Sequence, residues 1–122
     1  MTNEEILEGN RLILEFEGFK FVSDDTESYP NGYYYKKDEG YHTLEECRFN
    51  ESWDWLMPVV RKIVELAIND DIEGGNLFLS NEYTSILETI SLAVIEDSYK
   101  VVVEFIKYYN TCQDSQKTLQ KL

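Results

Sequence analysis

The chain has a single histidine, His42, which stands five residues before Cys47, one of only two cysteines. A histidine beside a cysteine can take the thiol proton and so activate a nucleophile. An exposed loop histidine near a half-buried cysteine is the simpler interpretation, and we favour it. Together with Cys112 these residues would supply three zinc ligands, but no fourth stands at a recognisable spacing. We therefore predict no catalytic residue and no metal site.

Paired carboxylates are frequent along the chain and say little about catalysis. General acid–base catalysis needs carboxyl pKa values driven apart by burial, and none of the pairs has an apolar setting. The pairs are Asp24-Asp25, Glu45-Glu46, Asp70-Asp71 and Glu96-Asp97. The chain also lacks a P-loop, a G-x-G-x-x-G motif and a complete EF-hand loop. We expect a protein that is not an enzyme and that uses no cofactor.

Aromatic side chains adjoin lysines in one stretch and flank an aspartate in another. Such clusters can stack a nucleotide, and tyrosine and tryptophan also anchor protein interfaces. The candidate binding residues are Tyr33, Tyr34, Tyr35, Lys36, Lys37, Trp53 and Trp55. Core packing is the favoured alternative for one face of each stretch. It would put Tyr34 on the opposite side of a strand from its neighbours, and would bury one tryptophan while the other lies at a rim or interface.

Charge is the strongest signal in the composition. The 122 residues include 24 acidic and 11 basic side chains, a formal net charge of -13. This surplus disfavours direct binding to nucleic acid and to an anionic membrane surface. It is compatible with solubility through self-repulsion. It is equally compatible with an acidic surface that binds a basic partner, including the nucleic-acid groove of another protein.

The rest of the composition is that of a globular chain, which we expect in the cytoplasm. Apolar residues make up 43%, and no apolar run reaches the length of about 18 residues that a membrane span needs. The acidic start, MTNEEILEGN, lacks the basic and apolar regions of a secretory signal. We therefore expect a cytoplasmic protein with free thiols.

Apolar periodicity predicts three helices, over 3–17, 54–69 and 96–110. Asn50, Ser52 or Asp54 can cap the second helix. With Asp54 as the cap, Pro58 falls at the end of the first turn, where its missing N–H costs little. Gly9 weakens the first helix.

Short strands are predicted over 19–22, 33–37, 76–80 and 84–92, with a loop over 23–32 that ends in a turn at Asn31-Gly32. Residues 38–50 show no regular pattern. The whole predicts one α+β domain over 1–112, with about three helices on a short antiparallel sheet, followed by a polar tail over 113–122.

Three segments carry a resemblance to a known group of proteins. They are NRLILEFEGFKF (10–21), ESWDWLMPVVRKIVEL (51–66) and SYKVVVEFIKYYN (98–110), and YHTLEECRF (41–49) has a similar look. Together they resemble small uncharacterised bacteriophage and prophage proteins, whose segments read like SWDWLMPVVEKIE and AVVEFIKWYN. Arg61 replaces the more usual glutamate, and Tyr108 the more usual tryptophan. These residues are mostly apolar and helical, so the resemblance carries over a fold signature and no catalytic residue.

The resemblance implies a phage context, in which small acidic accessory proteins often act by binding. Our first hypothesis is a binding module for a host or phage protein, in its sharpest form an anti-defence inhibitor that mimics nucleic acid. The alternative is a sponge for a nucleotide-like molecule that uses the aromatic residues above, at a subunit interface of a homo-oligomer. A minor structural or assembly protein is a third option.

Overall fold

The computed structural model describes residues 1–23 and 32–120 and has the α+β architecture that the sequence predicts. Helix α1 spans Asn3–Phe16. It begins with a capping box, in which the Thr2 hydroxyl accepts from the Glu5 backbone N–H and the Glu5 carboxylate accepts from the Thr2 backbone N–H. It ends before Gly18, whose φ of +95° suits glycine alone. The predicted loop lies outside the described residues except for its two ends, Ser23 and Gly32.

The sheet has three antiparallel strands in the order β1 (Lys20–Val22), β2 (Tyr33–Lys36) and β3 (Gly40–His42). Its register pairs Tyr34 with Phe21 on one side and with His42 on the other. Strand β3 falls in the stretch that showed no sequence pattern. Positive φ angles at Asp38 and Gly40 let the chain turn back on β2, and three residues are too few for alternation to be recognised.

Helix α2 spans Trp53–Ile72 and is longer at both ends than predicted. Its N-cap is Ser52, so Pro58 lies inside the helix and not in the first turn. A proline there leaves the carbonyl of Asp54 without its usual amide donor. Both residues are exposed, so water can take that place and the helix tolerates the proline.

The two strands predicted after α2 are wrong. Residues 76–80 contain a 3₁₀ helix, Leu77–Leu79, and residues 84–92 lie largely within helix α3, Asn81–Ser91. The Ser80 side chain caps α3 by accepting from the N–H of Tyr83. Tyr83 and Ile86 are buried at helical spacing, which outweighs the β-branched residues that suggested a strand.

Helix α4, Ile95–Gln120, extends beyond the predicted end at Asn110 and takes in most of the predicted tail. It packs against α1, α2 and α3. The core lies where these helices meet, and its fully buried members include Ile13, Leu56, Ile63, Ile86, Phe105 and Ile106.

A polar contact joins α1 to α4 inside this core. The Tyr99 hydroxyl lies 3.0 Å from Asn10 Oδ1 and 2.8 Å from the Ile6 carbonyl oxygen. The Asn10 amide in turn donates to the carbonyl of Leu44, at 3.1 Å. Asn10 and Tyr99 are almost completely buried, so this network fixes how the first helix, the last helix and the loop after β3 sit together.

Candidate functional site

A groove of about 410 Å³ opens where the end of α1, the sheet and the start of α2 meet. We call it the Glu17 groove. Its walls combine carboxylates, aromatic rings and aliphatic side chains. The lining residues are Leu14, Glu17, Phe19, Glu39, His42, Phe49, Asp54, Trp55, Pro58 and Val59. A volume of this size is in the usual range for pockets that bind small groups.

Four rings form a continuous aromatic wall in the groove. His42 lies between Phe19 and Trp55, with 5.5 Å between ring centroids on each side. The Trp55 ring also meets Phe49 edge-on at 5.2 Å. His42 Nδ1 is 3.3 Å from a carboxylate oxygen of Glu46. The ring contacts give the groove a continuous aromatic surface.

Glu17 is the unusual carboxyl group of this groove. It follows the last residue of α1, where the helix dipole disfavours negative charge. Its Oε1 atom is buried and has no hydrogen-bond partner among the described residues. Burial raises the pKa of the Glu17 carboxyl, while the nearby Lys62 and Lys36 ammonium groups partly oppose this rise. An unmet acceptor of this kind is costly in a folded protein.

The two lysines bind the end of α1 and not the Glu17 carboxylate. Lys62 Nζ donates to the carbonyl oxygen of Phe16 at 2.8 Å, and Lys36 Nζ to that of Glu17 at 2.7 Å. These bonds satisfy carbonyls that the helix itself leaves open. Among the described residues, Glu17 has no ion-pair partner, although Lys36 pairs with Glu39 at 3.2 Å.

The structure places the predicted binding residues in different surroundings. Trp55 lines the groove, and Lys36 lies beside it, 5.9 Å from the centre of the Phe19 ring. Tyr33 and Tyr35 lie on the opposite face of the sheet, where Tyr33 meets Tyr41 at 5.7 Å. Tyr34 lies on the opposite face from its two neighbours, as the alternation predicts, and it is buried there, while Lys37 is exposed.

The prediction of one buried tryptophan and one at a rim or interface is wrong in its first part, because the structure buries neither completely. Both are half-buried and pack against the core, and Trp53 does not line the groove. Sequence reasoning did not single out Glu17. A carboxylate at the C-terminal end of a helix, with no basic residue in the last turn, was the available signal.

The cysteines differ in environment. Cys47 is buried, its thiol donates to the Thr43 carbonyl at 3.3 Å, and burial raises its pKa to about 12. This is the opposite of the lowered pKa that an activated nucleophile needs. Cys112 lies half-buried on α4. Within residues 1–23 and 32–120 no three His, Cys, Asp or Glu side chains form a group that could hold a metal ion.

We expect a thiol reagent such as DTNB to modify Cys112 at least about 100-fold faster than Cys47 in the native protein, because so little Cys47 thiolate exists near neutral pH. Absorbance at mild alkaline pH should show one fast thiol, and a second one only after denaturation. Cys112→Ser should remove the fast phase and Cys47→Ser should keep it. A fast phase that survives in Cys112→Ser would contradict this assignment.

No helix among the described residues combines the length and apolarity needed to cross a membrane. Comparisons of the chain with protein-family models, with curated proteins and with solved structures give no match. The resemblance to phage and prophage proteins therefore stays a prediction.

Proposed function

We propose that this chain is a non-enzymatic binding module that engages a basic partner protein through its acidic surface. The observation that carries the proposal is how the basic side chains are paired. In the described residues, the lysine and arginine ion pairs join side chains only three or four positions apart. Arg11, for example, lies between Glu8 and Glu15 on α1.

These pairs join Arg11, Lys36, Arg48 and Lys107 to acids nearby in sequence, so among the described residues they do not draw the surplus acids into long-range contacts. Exposed carboxylates without an ion-pair partner in the described structure include Glu65 and Asp71 on α2, Glu88 on α3 and Asp97 on α4. Pairs at these spacings contribute little to stability. The acidic surplus is thus available to a partner, and complementary charge would give such a complex its speed and specificity.

The phage-like segments give this proposal its sharper form, an accessory protein that inhibits a host defence or enzyme complex. The nucleotide sponge has less support. It needs the Tyr33–Lys37 cluster and Trp53 or Trp55 in one pocket at a subunit interface, yet within one chain Tyr33 and Tyr35 face away from Trp55.

The test is capture from bacterial lysate with tagged protein, followed by binding measurements on the purified partner. Association should slow steeply between about 0.1 M and about 1 M salt, where the Debye length falls from about 10 Å to about 3 Å. Complex formation that is indifferent to salt would remove the proposal.

Two charge variants of equal size serve as matched controls. Glu65→Gln with Asp71→Asn removes two acids from α2, and Glu88→Gln with Asp97→Asn removes one each from α3 and α4. A specific interface should respond much more strongly to one pair than to the other. Equal losses would indicate non-specific ion exchange and would contradict a defined binding face.

A further inference from the structure

We propose that the Glu17 groove receives the guanidinium group of an arginine side chain. The inference deepens the proposed function and rests on it, because the arginine would belong to the basic partner. It assigns one pocket to a side chain of the partner, whereas the net charge does not say which part of the surface binds.

The aromatic wall is the first argument. A guanidinium group is planar and weakly hydrated, and it stacks on aromatic faces, best of all on tryptophan. The groove offers Trp55, whose ring contacts both His42 and Phe49. Trp55 is half-buried, so part of its ring is available to a ligand.

The carboxylates are the second argument. Glu17, Glu39 and Asp54 line the same groove as the rings. Lys36 pairs with Glu39, whereas Glu17 has no ion-pair partner among the described residues, and one of its oxygens is buried without any donor. A cation placed beside Glu17 would offset the desolvation of its charge.

The chemistry of the groove also distinguishes among possible ligands. Carboxylates on the walls repel phosphate and other anions, so an anionic ligand fits poorly. Arginine suits the groove better than lysine because its fork of N–H donors can bind a carboxylate while its flat face stacks on a ring. The nearby Lys36 and Lys62 do not fill this role, since their ammonium groups are bound to backbone carbonyls at the end of α1.

The experiment uses N-acetyl-arginine amide as the probe, with the neutral isostere N-acetyl-citrulline amide as its control. Amide and indole N–H signals are followed by NMR during titration of the full chain. We expect the arginine probe to shift the Trp55 indole signal and neighbouring groove signals, and the citrulline probe to leave them in place. Equal shifts with both probes, or no shift with arginine, would overturn the inference.

Two single-charge variants sharpen the test. Glu17→Gln should weaken binding of the arginine probe about tenfold or more, as expected for loss of a charge-assisted contact. Glu88→Gln removes the same charge from α3, which contributes no residue to the groove, and should bind like the unaltered chain. Equal affinity in the two variants, or a nucleotide that shifts Trp55 where arginine does not, would sink the inference.

We expect Glu17→Gln to keep its fold, so that a loss of binding in this variant reports on the groove. Burial raises the pKa of Glu17 against the opposing effect of Lys62 and Lys36, with Glu39 adding to the rise. The charged carboxylate is therefore less favourable in the folded chain than in the unfolded chain. It destabilises the fold at neutral pH, and this effect disappears as the pH falls below the pKa that Glu17 has in the unfolded chain. Glu17→Gln should melt at or above the temperature of the unaltered chain at pH 7, with the difference shrinking in acid.

The same variants separate the inference from the proposed function. Salt-sensitive binding of the partner that is unchanged by Glu17→Gln would remove only the arginine pocket. A groove that binds the arginine probe in a chain with no salt-sensitive partner would remove the proposed function instead. Parallel losses of probe and partner binding in Glu17→Gln, with probe binding kept in Glu88→Gln, would support both.

Discussion

Replacing Asn10 by alanine is expected to lower the free energy of unfolding by about 2–3 kcal/mol, because it leaves a buried acceptor without its donor. The Asn10 amide is the donor to the Leu44 carbonyl, and Asn10 is 1% exposed, so water cannot easily replace it. The Tyr99 hydroxyl would keep the Ile6 carbonyl as its partner. Urea denaturation followed by circular dichroism measures the effect.

Two further variants test this explanation. Asn10→Asp keeps the shape but turns a carboxylate oxygen toward the Leu44 carbonyl, so its loss of stability at neutral pH should be at least as large. Asn69→Ala changes an exposed asparagine on α2 and should fall within about 0.5 kcal/mol of the unaltered chain. Similar, small effects at both asparagines would show that the buried network contributes little.

Gly9→Ala is expected to destabilise the protein by about 1–3 kcal/mol, the usual range for overpacking a core. At an exposed helical position the same change would stabilise by about 1 kcal/mol, since alanine is the better helix former. At Gly9, however, a methyl group would stand 2.8 Å from Tyr99 Cζ and 3.1 Å from Val103 Cγ2. Tyr99 is fully buried and cannot move aside. The sign of the change therefore distinguishes close packing from helix propensity.

A double-mutant cycle with Tyr99→Phe isolates this contact. Removing the hydroxyl takes away the nearest obstruction, so Gly9→Ala should cost less in the Tyr99→Phe background than in the unaltered chain. The ring carbon remains close, and the rescue should be partial. Additive effects, or a gain in stability from Gly9→Ala alone, would contradict the packing of α1 on α4 described above.

The elements that sequence analysis predicted correctly are those whose apolar residues repeat over several turns. Helices α1, α2 and α4 each carry such a repeat, and the fold class followed from them. The strand β2 was recognisable from its run of tyrosines, and alternation correctly put Tyr34 on the opposite face from Tyr33 and Tyr35.

The errors arose where local preference and long-range packing disagree. Residues 84–92 are rich in threonine and isoleucine, which favour strands, but Tyr83 and Ile86 fill the core from a helix capped by Ser80. Gly9 was predicted to weaken α1. The close approach of Tyr99 explains why a glycine stands there. Sequence alone cannot reveal such contacts, because the partners are far apart along the chain.

The candidate site shows the same limit. Trp55 and Lys36 were singled out from composition, yet their common surroundings depend on His42 and Glu17, which come from a short strand and a helix end. Tyr33 and Tyr35, which seemed to belong with them, face the other side of the sheet. Grouping residues by type identified Trp55 and Lys36, but it missed Glu17, the unusual carboxyl group of the groove.

The hydrogen bond between Asn10 and Tyr99 also has a consequence for synthesis on the ribosome. Its two ends are 89 residues apart, so at about 5–20 residues per second roughly 4 to 18 seconds pass before α1 can meet its partner helix. During that time the apolar face of the nascent α1 has no α4 to pack against. Joining the first and last helices is therefore a late event, and any chaperone that assists this chain has its opportunity before α4 has emerged.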